Sequence, residues 1–285
     1  MVQYNKASRR NHSGGSSMEF FNEKLDIFRQ NKVVNWHEHV WTDSKGNLNV
    51  QDADLLVENA KRVGFDVLVC SLPYVYENPT PGICKQYNDF VYEAMQRHPD
   101  IIKGMCFVNP GYAKEACDEI DRCINELGFI GVKLYNHYFI SDPAVHSVIE
   151  KCIQLDVPML VHAGKVTSLP VTEPFISDGT HFAEAAKKFP ESLFIYAHIG
   201  GGGDYQWSLK AIADCPNVLM DISGSIYDEY MIEDAVSKMG VERIMFGTDG
   251  SFSSCMGKLL GCRISREEKI AILNNKIMER YLNRH

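Results

Sequence analysis

The sequence predicts one α/β domain built as a (β/α)8 barrel, the TIM-barrel architecture. Short apolar runs alternate with stretches of helical periodicity eight times along the chain, at intervals of roughly thirty residues. The runs lack the polar alternation of half-exposed strands, which is typical of a parallel sheet covered on both faces. The first run ends in His-Glu-His, whereas an open doubly wound sheet, the alternative architecture, normally has a Gly-rich fingerprint there.

Turn-forming residues bound the predicted strands. Gly64 and Pro73, for example, enclose the second apolar run, and Gly128 precedes the fourth. Because each run is short and rich in Val, Ile, Leu and Phe, it suits a buried strand. The eight predicted strands are Val33–His39, Phe65–Cys70, Gly104–Val108, Phe129–Leu134, Val157–His162, Leu193–His198, Val218–Ile222 and Arg243–Gly247.

Helical spacing and end signals predict a helix after each strand and one before the first. The leading helix, Met18–Gln30, has Phe21, Leu25 and Phe28 at helical spacing. Most of the others end at a glycine or before a proline, and Pro143 suits the first turn of its helix. They are Asp52–Val63, Tyr87–Arg97, Ala113–Leu127, Pro143–Leu155, Thr180–Phe189, Asp204–Ala213, Asp228–Met239 and Ser265–Asn274, followed by a last helix.

Composition narrows the class of protein. The chain has 285 residues and a hydrophobic fraction of 45%. Its net charge of −8 argues against nucleic-acid binding. Its apolar runs are shorter than the ~18 residues of a membrane span. Its nine cysteines form no C-x-x-C pair, so we expect free thiols. Residues 1–18 are polar and lack the apolar core of a signal peptide. We therefore expect a flexible tail, a domain over 19–285 and a cytoplasmic protein.

A pair of histidines one residue apart ends the first predicted strand. On an extended strand His37 and His39 point to the same face and Glu38 to the other, whereas on a helix they would lie roughly 200° apart. Two imidazoles on one face are half of a zinc-type site. Taken alone, the pair fits equally well with two polar residues at a loop boundary.

Other polar residues end the predicted strands in the same way. They are Lys133 on the fourth, His162 on the fifth, His198 on the sixth and Asp249 just after the eighth. A lone histidine at a strand end is more often structural, but the carboxyl ends of barrel strands form one rim, where active sites lie. We therefore predict that His37, His39, His162 and Asp249 bind one Zn²⁺, or a similar divalent ion such as Mn²⁺.

Such an ion lowers the pKa of a bound water from about 15.7 to about 7 and so supplies a nucleophile. We predict that His198 acts beside the metal as a general acid or base, or polarises a substrate carbonyl. Asp249 is a second candidate for taking the proton of the water. Lys133 either pairs with a carboxylate of the substrate or neutralises Asp249. Asp221 either orders a ligand histidine or caps the next loop.

Six motifs resemble those of the amidohydrolase superfamily, and of its amidohydrolase-related branch in particular. They are His37-Glu38-His39, Gly131-Val132-Lys133-Leu134, Val161-His162-Ala163-Gly164, Ala197-His198-Ile199-Gly200-Gly201, Asn217-Val218-Leu219-Met220-Asp221-Ile222-Ser223-Gly224 and Phe246-Gly247-Thr248-Asp249. That branch also holds the aminocarboxymuconate-semialdehyde and resorcylate decarboxylases. The resemblance implies the same four metal ligands. It also implies that the strand-six histidine, here His198, is catalytic, as in one-metal members, or binds a second metal, as in others.

The chain departs from the pattern of the branch after strand eight. The segment is Thr248-Asp249-Gly250-Ser251, where the branch commonly has Ser-Asp-Tyr-Pro, so we expect an unusual substrate rim there. Lys133 occupies the position of the carboxylated lysine of two-metal members. In the close branch an unmodified lysine and a single metal are common, and we assume no carboxylation.

These observations predict a divalent-metal-dependent hydrolase of a small molecule, which attacks an amide, ester or lactone through a metal-activated water. The alternative within the enzyme class is a non-oxidative decarboxylase that uses the same metal. A third hypothesis is a barrel that binds metal or ligand for regulation without turnover. The expected partner is a small-molecule substrate, with no nucleic acid and no membrane, and the sequence leaves open whether the chain forms a homo-oligomer.

Overall fold

Eight parallel strands carry the fold. The computed structural model describes residues 25–74, 77–164, 174–199, 205–224 and 228–283. Each strand pairs in parallel with the next one in chain order. The strands are β1 Val34–His39, β2 Val67–Ser71, β3 Ile102–Phe107, β4 Gly131–Leu134, β5 Met159–Val161, β6 Phe194–Tyr196, β7 Val218–Asp221 and β8 Ile244–Met245.

Backbone hydrogen bonds join the two outermost strands of this sheet. The amide of Trp36 on β1 donates to the carbonyl of Phe246 after β8, with N and O 3.0 Å apart. The amides of Thr248 and Asp249 donate in turn to the carbonyl of His37, at 3.1 and 2.8 Å. The sheet therefore bends round until its edges meet, and the predicted (β/α)8 barrel is confirmed.

Helices surround the sheet. They are α1 Val50–Val63, α2 Pro81–Arg97, α3 Ala113–Asp121, α4 His146–Leu155, α5 Gly179–Lys188, α6 Tyr205–Ile212, α7 Met231–Met239, α8 Phe252–Gly261, α9 Arg266–Leu273 and α10 Lys276–Leu282. The helix predicted before β1 is seen at residues 25–29, while 18–24 and the predicted tail lie outside the described residues. Within the described part of the chain, we find no helix with the length and apolar character needed to cross a bilayer.

Four helical stretches differ clearly from the sequence prediction. The predicted helix Tyr87–Arg97 begins six residues earlier, at Pro81. The predicted helix Ala113–Leu127 is α-helical only to Asp121 and ends in a π-helical turn, Arg122–Glu126. The predicted helix Pro143–Leu155 begins with a 3-10 turn, Pro143–Val145. Helix α8 was not predicted. Gly257 interrupts its pattern, and in the structure Ser251 before it makes no side-chain cap. Burial of Cys255, Met256 and Leu259 compensates for these weak local signals.

Two apolar layers form the core. The larger layer packs helices against the outer face of the sheet. The smaller one fills the barrel with Trp36, Met105, Leu160, Leu219 and Met245, each from a different strand, and with neighbours such as Met278 of α10.

Asn275, just before α10, donates to the carbonyls of Glu242 and Ile244 at the start of β8. Helix α10 therefore closes the barrel at the end where the strands begin, which leaves the other end for a site.

A β-bulge in β1 sets the direction of its side chains. Asn35 pairs with Leu68 and Glu38 pairs with Cys70, so three residue steps on β1 match two on β2. Strict alternation would put Asn35 and Glu38 on opposite faces, but Asn35 Nδ2 donates to Glu38 Oε2 at 3.2 Å. The bulge lets Trp36 pack inside the barrel while the histidines after it still turn toward the mouth.

The cysteines follow the prediction. All nine are free, and eight of them are buried. Burial raises the pKa of several thiols, including that of Cys84 to about 12, so these side chains behave as small apolar groups of the core.

Candidate metal centre

The carboxyl ends of five strands deliver the predicted site residues to one mouth of the barrel. His37 and His39 end β1, Lys133 lies on β4, and His162 directly follows β5. His198 lies two residues beyond β6 and Asp249 four residues beyond β8. His37, His39, Lys133 and His198 are all buried, as the rim of a closed barrel requires.

Asp249 contacts three of the histidines. Its Oδ1 lies 2.9 Å from His39 Nε2 and 3.4 Å from His37 Nε2, and its Oδ2 lies 3.4 Å from His198 Nδ1. The backbone holds it there with φ at 47°, a left-handed conformation that aspartate tolerates better than most residues. One carboxylate therefore joins the end of β8 to imidazoles from β1 and β6.

His162 reaches this cluster through His198. His162 Nδ1 and His198 Nε2 are 2.9 Å apart, and the two rings meet edge to face with centroids at 4.8 Å. His198 also has a positive φ, 70°, which turns its ring away from the normal strand direction. The structure thus brings all four predicted ligands into one connected cluster, with His162 linked indirectly.

Three residues of the cluster have potential ligand atoms close enough together to hold one ion. Potential ligand atoms of His37, His198 and Asp249 lie within 4.8 Å of one another, so the group can hold a divalent ion. Two imidazoles and a carboxylate are donors that suit Zn²⁺ or Mn²⁺. This group includes His198, which we placed beside the metal, and omits His39 and His162. The choice between the two ligand sets remains a prediction.

Asp221 on β7 orders two of the histidines. Its Oδ2 accepts from His37 Nδ1 at 2.8 Å, so the Nε2 lone pair of His37 turns toward the cluster. Its Oδ1 accepts from the amide of His198 at 3.0 Å and from Ser223 Oγ at 2.5 Å. Since the Ser223 hydroxyl donates to Asp221, it accepts from His198 Nδ1, 2.9 Å away. Asp221 therefore orients His37 directly and His198 through Ser223.

The role of Ser223 was missed in the sequence. Asp221 and Ser223 are separated by one residue at the end of a strand, the same spacing that drew attention to His37 and His39. A search for any polar pair at this spacing, rather than for histidines, would have found them.

Lys133 is fully buried beside His37. Its Nζ lies 2.8 Å from His37 Nε2, so the ammonium donates to the imidazole. Burial lowers the pKa of Lys133 to about 8, although the charges of Asp249 and Asp221 oppose this. In this structure the lysine contacts a predicted metal ligand, and its predicted role in binding substrate stays a prediction.

Burial keeps His37 and His198 neutral. It lowers the pKa of His37 to about 4, with help from the Lys133 charge and against that of Asp249, and it lowers the pKa of His198 strongly. Burial alone would raise the pKa of Asp249, but the contacts with His37, His39 and His198 outweigh it and hold that pKa well below its usual range. Neutral imidazoles beside an ionised carboxylate are the forms that bind a metal.

Glu38 lies on the far side of β1 and fastens it to the segment after β8. Its carboxylate accepts from Thr248 Oγ1 at 2.6 Å, from Asn35 Nδ2 at 3.2 Å, and from the amides of His39 and Gly250, each at 2.9 Å. Burial raises the pKa of Glu38, and the hydrogen bonds oppose this. Four donors, two from β1 and two from the residues on either side of Asp249, thus converge on one buried carboxylate.

Replacing Glu38 by alanine is expected to destabilise the protein by about 3 kcal/mol, because the buried donors would lose their acceptor. Denaturant unfolding measures the change. The matched control is Glu58→Ala, which removes an exposed ion pair with Arg62 and should cost less than about 1 kcal/mol. Equal effects of the two substitutions would show that Glu38 does not fasten the two strands.

Comparisons with known proteins agree with this geometry. A family model described as amidohydrolase matches residues 34–254. A 2-keto-4-carboxy-3-hexenedioate hydratase from Sphingobium sp. (strain NBRC 103272 / SYK-6) is 27% identical over 152 residues, which are 45% of this chain and 43% of the hydratase. The chain thus spans less than half the length of that relative.

A second relative aligns over more of the chain. The 2-amino-3-carboxymuconate-6-semialdehyde decarboxylase of Dictyostelium discoideum is 20% identical over 245 residues, 72% of this chain and 68% of the relative. Among solved structures, a dihydroxybenzoic acid decarboxylase from Polaromonas sp. JS666, with bound manganese and 2-nitroresorcinol, superposes with a TM-score of 0.71. It is 17% identical and the match covers 90% of this chain and 98% of that one, which establishes a common fold.

These findings confirm the resemblance drawn from the strand-end motifs. The family model covers most of the barrel, from the first residue of β1 into α8. The chain belongs to the amidohydrolase family and is an enzyme of the amidohydrolase superfamily.

Proposed function

We propose that this chain is a divalent-metal-dependent decarboxylase that releases CO₂ without oxidation from a small carboxylic acid. The relatives support this alternative better than the hydrolysis of an amide, ester or lactone that we first expected. One relative and the manganese-bound structure are decarboxylases, and the other relative is a hydratase.

The charge of the cluster carries the proposal that the substrate is an acid. Metal-bound imidazoles are neutral, and among the described residues the charged side chains that contact these histidines are Asp221, Asp249 and Lys133. Two carboxylates and one ammonium leave one net negative charge, and a divalent ion would change it to one net positive charge. A substrate carboxylate would then bring the buried cluster close to neutrality, which a low-dielectric site favours.

His37, His39, His162 and Asp249 are the residues proposed to hold the ion, as Zn²⁺ or Mn²⁺ and one per chain. When bound, the ion would supply Lewis acidity that draws electron density from the substrate. The buried contact of His37 Nδ1 with Asp221 fixes its ring and leaves Nε2, which accepts from Lys133 in this structure, as the nitrogen that would hold the ion. The domain from residue 19 onward is proposed to act as one catalytic unit.

Decarboxylation needs a proton at a defined place. The bond between the carboxylate carbon and its neighbour breaks, the electron pair stays on the neighbour, and a proton takes the place of CO₂. His198 is the proposed proton carrier, since its Nδ1 lies between Ser223 Oγ at 2.9 Å and Asp249 Oδ2 at 3.4 Å. Asp249 is proposed to exchange that proton with His198.

The hydratase relative favours a second candidate, the addition of water to a carbon–carbon double bond of an unsaturated acid. It would use the same charge balance to hold the substrate carboxylate. The two reactions differ in their products, because hydration adds the mass of water while decarboxylation removes that of CO₂.

The test is to incubate the Mn²⁺-loaded and Zn²⁺-loaded protein with hydroxybenzoic acids, unsaturated dicarboxylic acids, amides and lactones in H₂¹⁸O. We expect release of CO₂ and a product that lacks one carboxylate, and no release with His198→Ala. A product that gains ¹⁸O without loss of carbon would indicate hydration or hydrolysis and would contradict the proposal.

A further inference from the structure

A lysine of α8 holds the backbone on both sides of Ser223. Lys258 lies in the last turn of α8, and its Nζ donates to the carbonyl of Ile222 at 3.3 Å and to that of Gly224. Ile222 directly follows β7 and is buried, and Gly224 has a left-handed φ of 95°. The chain turns here beyond the end of its strand, where buried carbonyls need a donor from elsewhere. Lys258 supplies that donor to the two carbonyls that flank Ser223.

Ser223 is the residue whose hydroxyl accepts from His198 Nδ1. Its side chain is fully buried, its amide donates to Asp221 Oδ1 at 2.9 Å, and its hydroxyl donates to the same oxygen. A serine hydroxyl has one proton, so with that proton on Asp221 only its lone pairs face His198 Nδ1, 2.9 Å away. The position of this acceptor depends on where the backbone of Ser223 lies.

Helix α8 is in turn anchored to the segment that carries Asp249. The amide of Ser251 donates to the carbonyl of Thr248 at 3.0 Å, and the amide of Cys255 donates to the carbonyl of Ser251 at 3.1 Å. The Cys255 thiol is buried and donates to the carbonyl of Thr248 at 3.6 Å. Lys258 therefore joins a helix fixed beside Asp249 to the turn that carries Ser223.

The position of Lys258 in α8 does not by itself explain these contacts. A lysine in the last turn of a helix is favoured by the helix dipole, and it usually extends its ammonium into water. Lys258 is instead half-buried and directs its ammonium at two carbonyls, which gives charge-assisted hydrogen bonds. Lys269 of α9 makes a similar contact with the carbonyl of Leu260, at 3.0 Å, but Leu260 contacts none of the site residues. The two lysines thus differ in what the fastened backbone carries.

We propose that Lys258 is a positioning residue of the site. Its ammonium fixes the backbone of Ser223, and through the Ser223 hydroxyl it fixes the ring of His198 relative to Asp249, whose Oδ2 lies 3.4 Å from His198 Nδ1. The proposal rests on the proposed function for the role of His198 as proton carrier, while the positioning is inferred from the hydrogen bonds of Lys258 and Ser223. Lys258 acts through two residues, so its loss should slow proton transfer and leave substrate binding intact.

The first measurement separates kcat from KM for CO₂ release by the Mn²⁺-loaded full chain. Lys258→Met keeps the apolar part of the side chain and removes its donors. We expect kcat to fall by about 10-fold, the lower range for loss of a residue that orients a site histidine, and KM to change by less than about 2-fold. Lys258→Arg keeps the charge and the donors and should lie between the wild type and Lys258→Met.

The second measurement requires no turnover. Histidine ring nitrogens labelled with ¹⁵N report by NMR which nitrogen carries the proton, here in the Zn²⁺-loaded full chain, and His198→Ala identifies the His198 signals by their loss. In the wild type we expect a proton on Nδ1, because the Ser223 hydroxyl accepts from that nitrogen. Lys258→Met should shift both ring-nitrogen signals of His198. Lys258→Gln repeats the measurement if thermal unfolding shows that the methionine variant is not folded.

The matched control is Lys269→Met, which removes a lysine donor from a backbone carbonyl of the same helix and should change neither kcat nor the His198 signals. Unchanged His198 signals in Lys258→Met, a rise in KM at constant kcat, or the same changes in Lys269→Met would overturn the proposal. A wild type that releases no CO₂, while its His198 signals depend on Lys258, would refute the proposed reaction and leave this inference standing.

Discussion

Asp249→Asn is expected to reduce turnover by at least about 100-fold while the fold is retained. The carboxylate uses both oxygens, Oδ1 toward His37 and His39 and Oδ2 toward His198. An amide has one oxygen, carries no negative charge and presents an NH₂ group to one side of the cluster. Asparagine accepts the left-handed backbone at this position, so thermal unfolding should change little. Initial rates and circular dichroism measure the two effects.

The matched control for this substitution is Asp156→Asn. Asp156 also has a positive φ, 48°, but it follows α4 and pairs with the exposed Arg280. We expect its turnover to equal that of the wild type. Full activity in Asp249→Asn would remove Asp249 from the mechanism, and equal losses in both variants would mean that the effect is one of backbone geometry.

His162→Ala is expected to abolish tight metal binding. The purified wild type should hold about one divalent ion per chain, and loss of one of four ligands should weaken the affinity by more than about 100-fold, the upper range for loss of a ligand's hydrogen-bond partner. Elemental analysis and competition with a chelating dye measure content and affinity. Unfolding with and without added metal supplies a readout that does not depend on turnover.

Two further variants decide between the ligand sets. His198→Ala should keep the ion if His198 acts beside the metal, and should lose it if the compact group of His37, His198 and Asp249 is the true ligand set. His98→Ala is the control, because His98 pairs with Asp54 at 2.8 Å outside the site. A His162→Ala protein that keeps its ion while His198→Ala loses it would contradict the predicted assignment.

The barrel and the approximate site were predictable because they depend on local patterns. Strand and helix ends in this chain are set by glycine, proline and capping residues, such as Gly64 in a left-handed C-cap and Ser265 in a capping box with Glu268. Once eight parallel strands are assigned, their carboxyl ends must share one rim. The strand-end positions of His37, His162 and His198 then predict a cluster without any knowledge of distances.

Contacts between distant segments were not predictable. The bulge in β1 depends on how this strand pairs with β2, and helix α8 depends on burial that outweighs weak end signals. The spacing of Asp221 and Ser223 could mark both residues, but it does not show that Ser223 reaches His198 on the segment after β6 or that the positive φ of His198 aims that ring. None of these leaves a periodic signal.

The sequence by itself determined the architecture of this protein and the rim at which its polar residues meet, because both follow from periodicity along the chain. The tertiary structure alone decided which atoms face one another: Asp249 against three imidazoles, Lys133 against His37, and Trp41 beside His39. The physical reason is that side-chain direction depends on register, bulges and backbone dihedrals, which pairing between remote strands sets during folding.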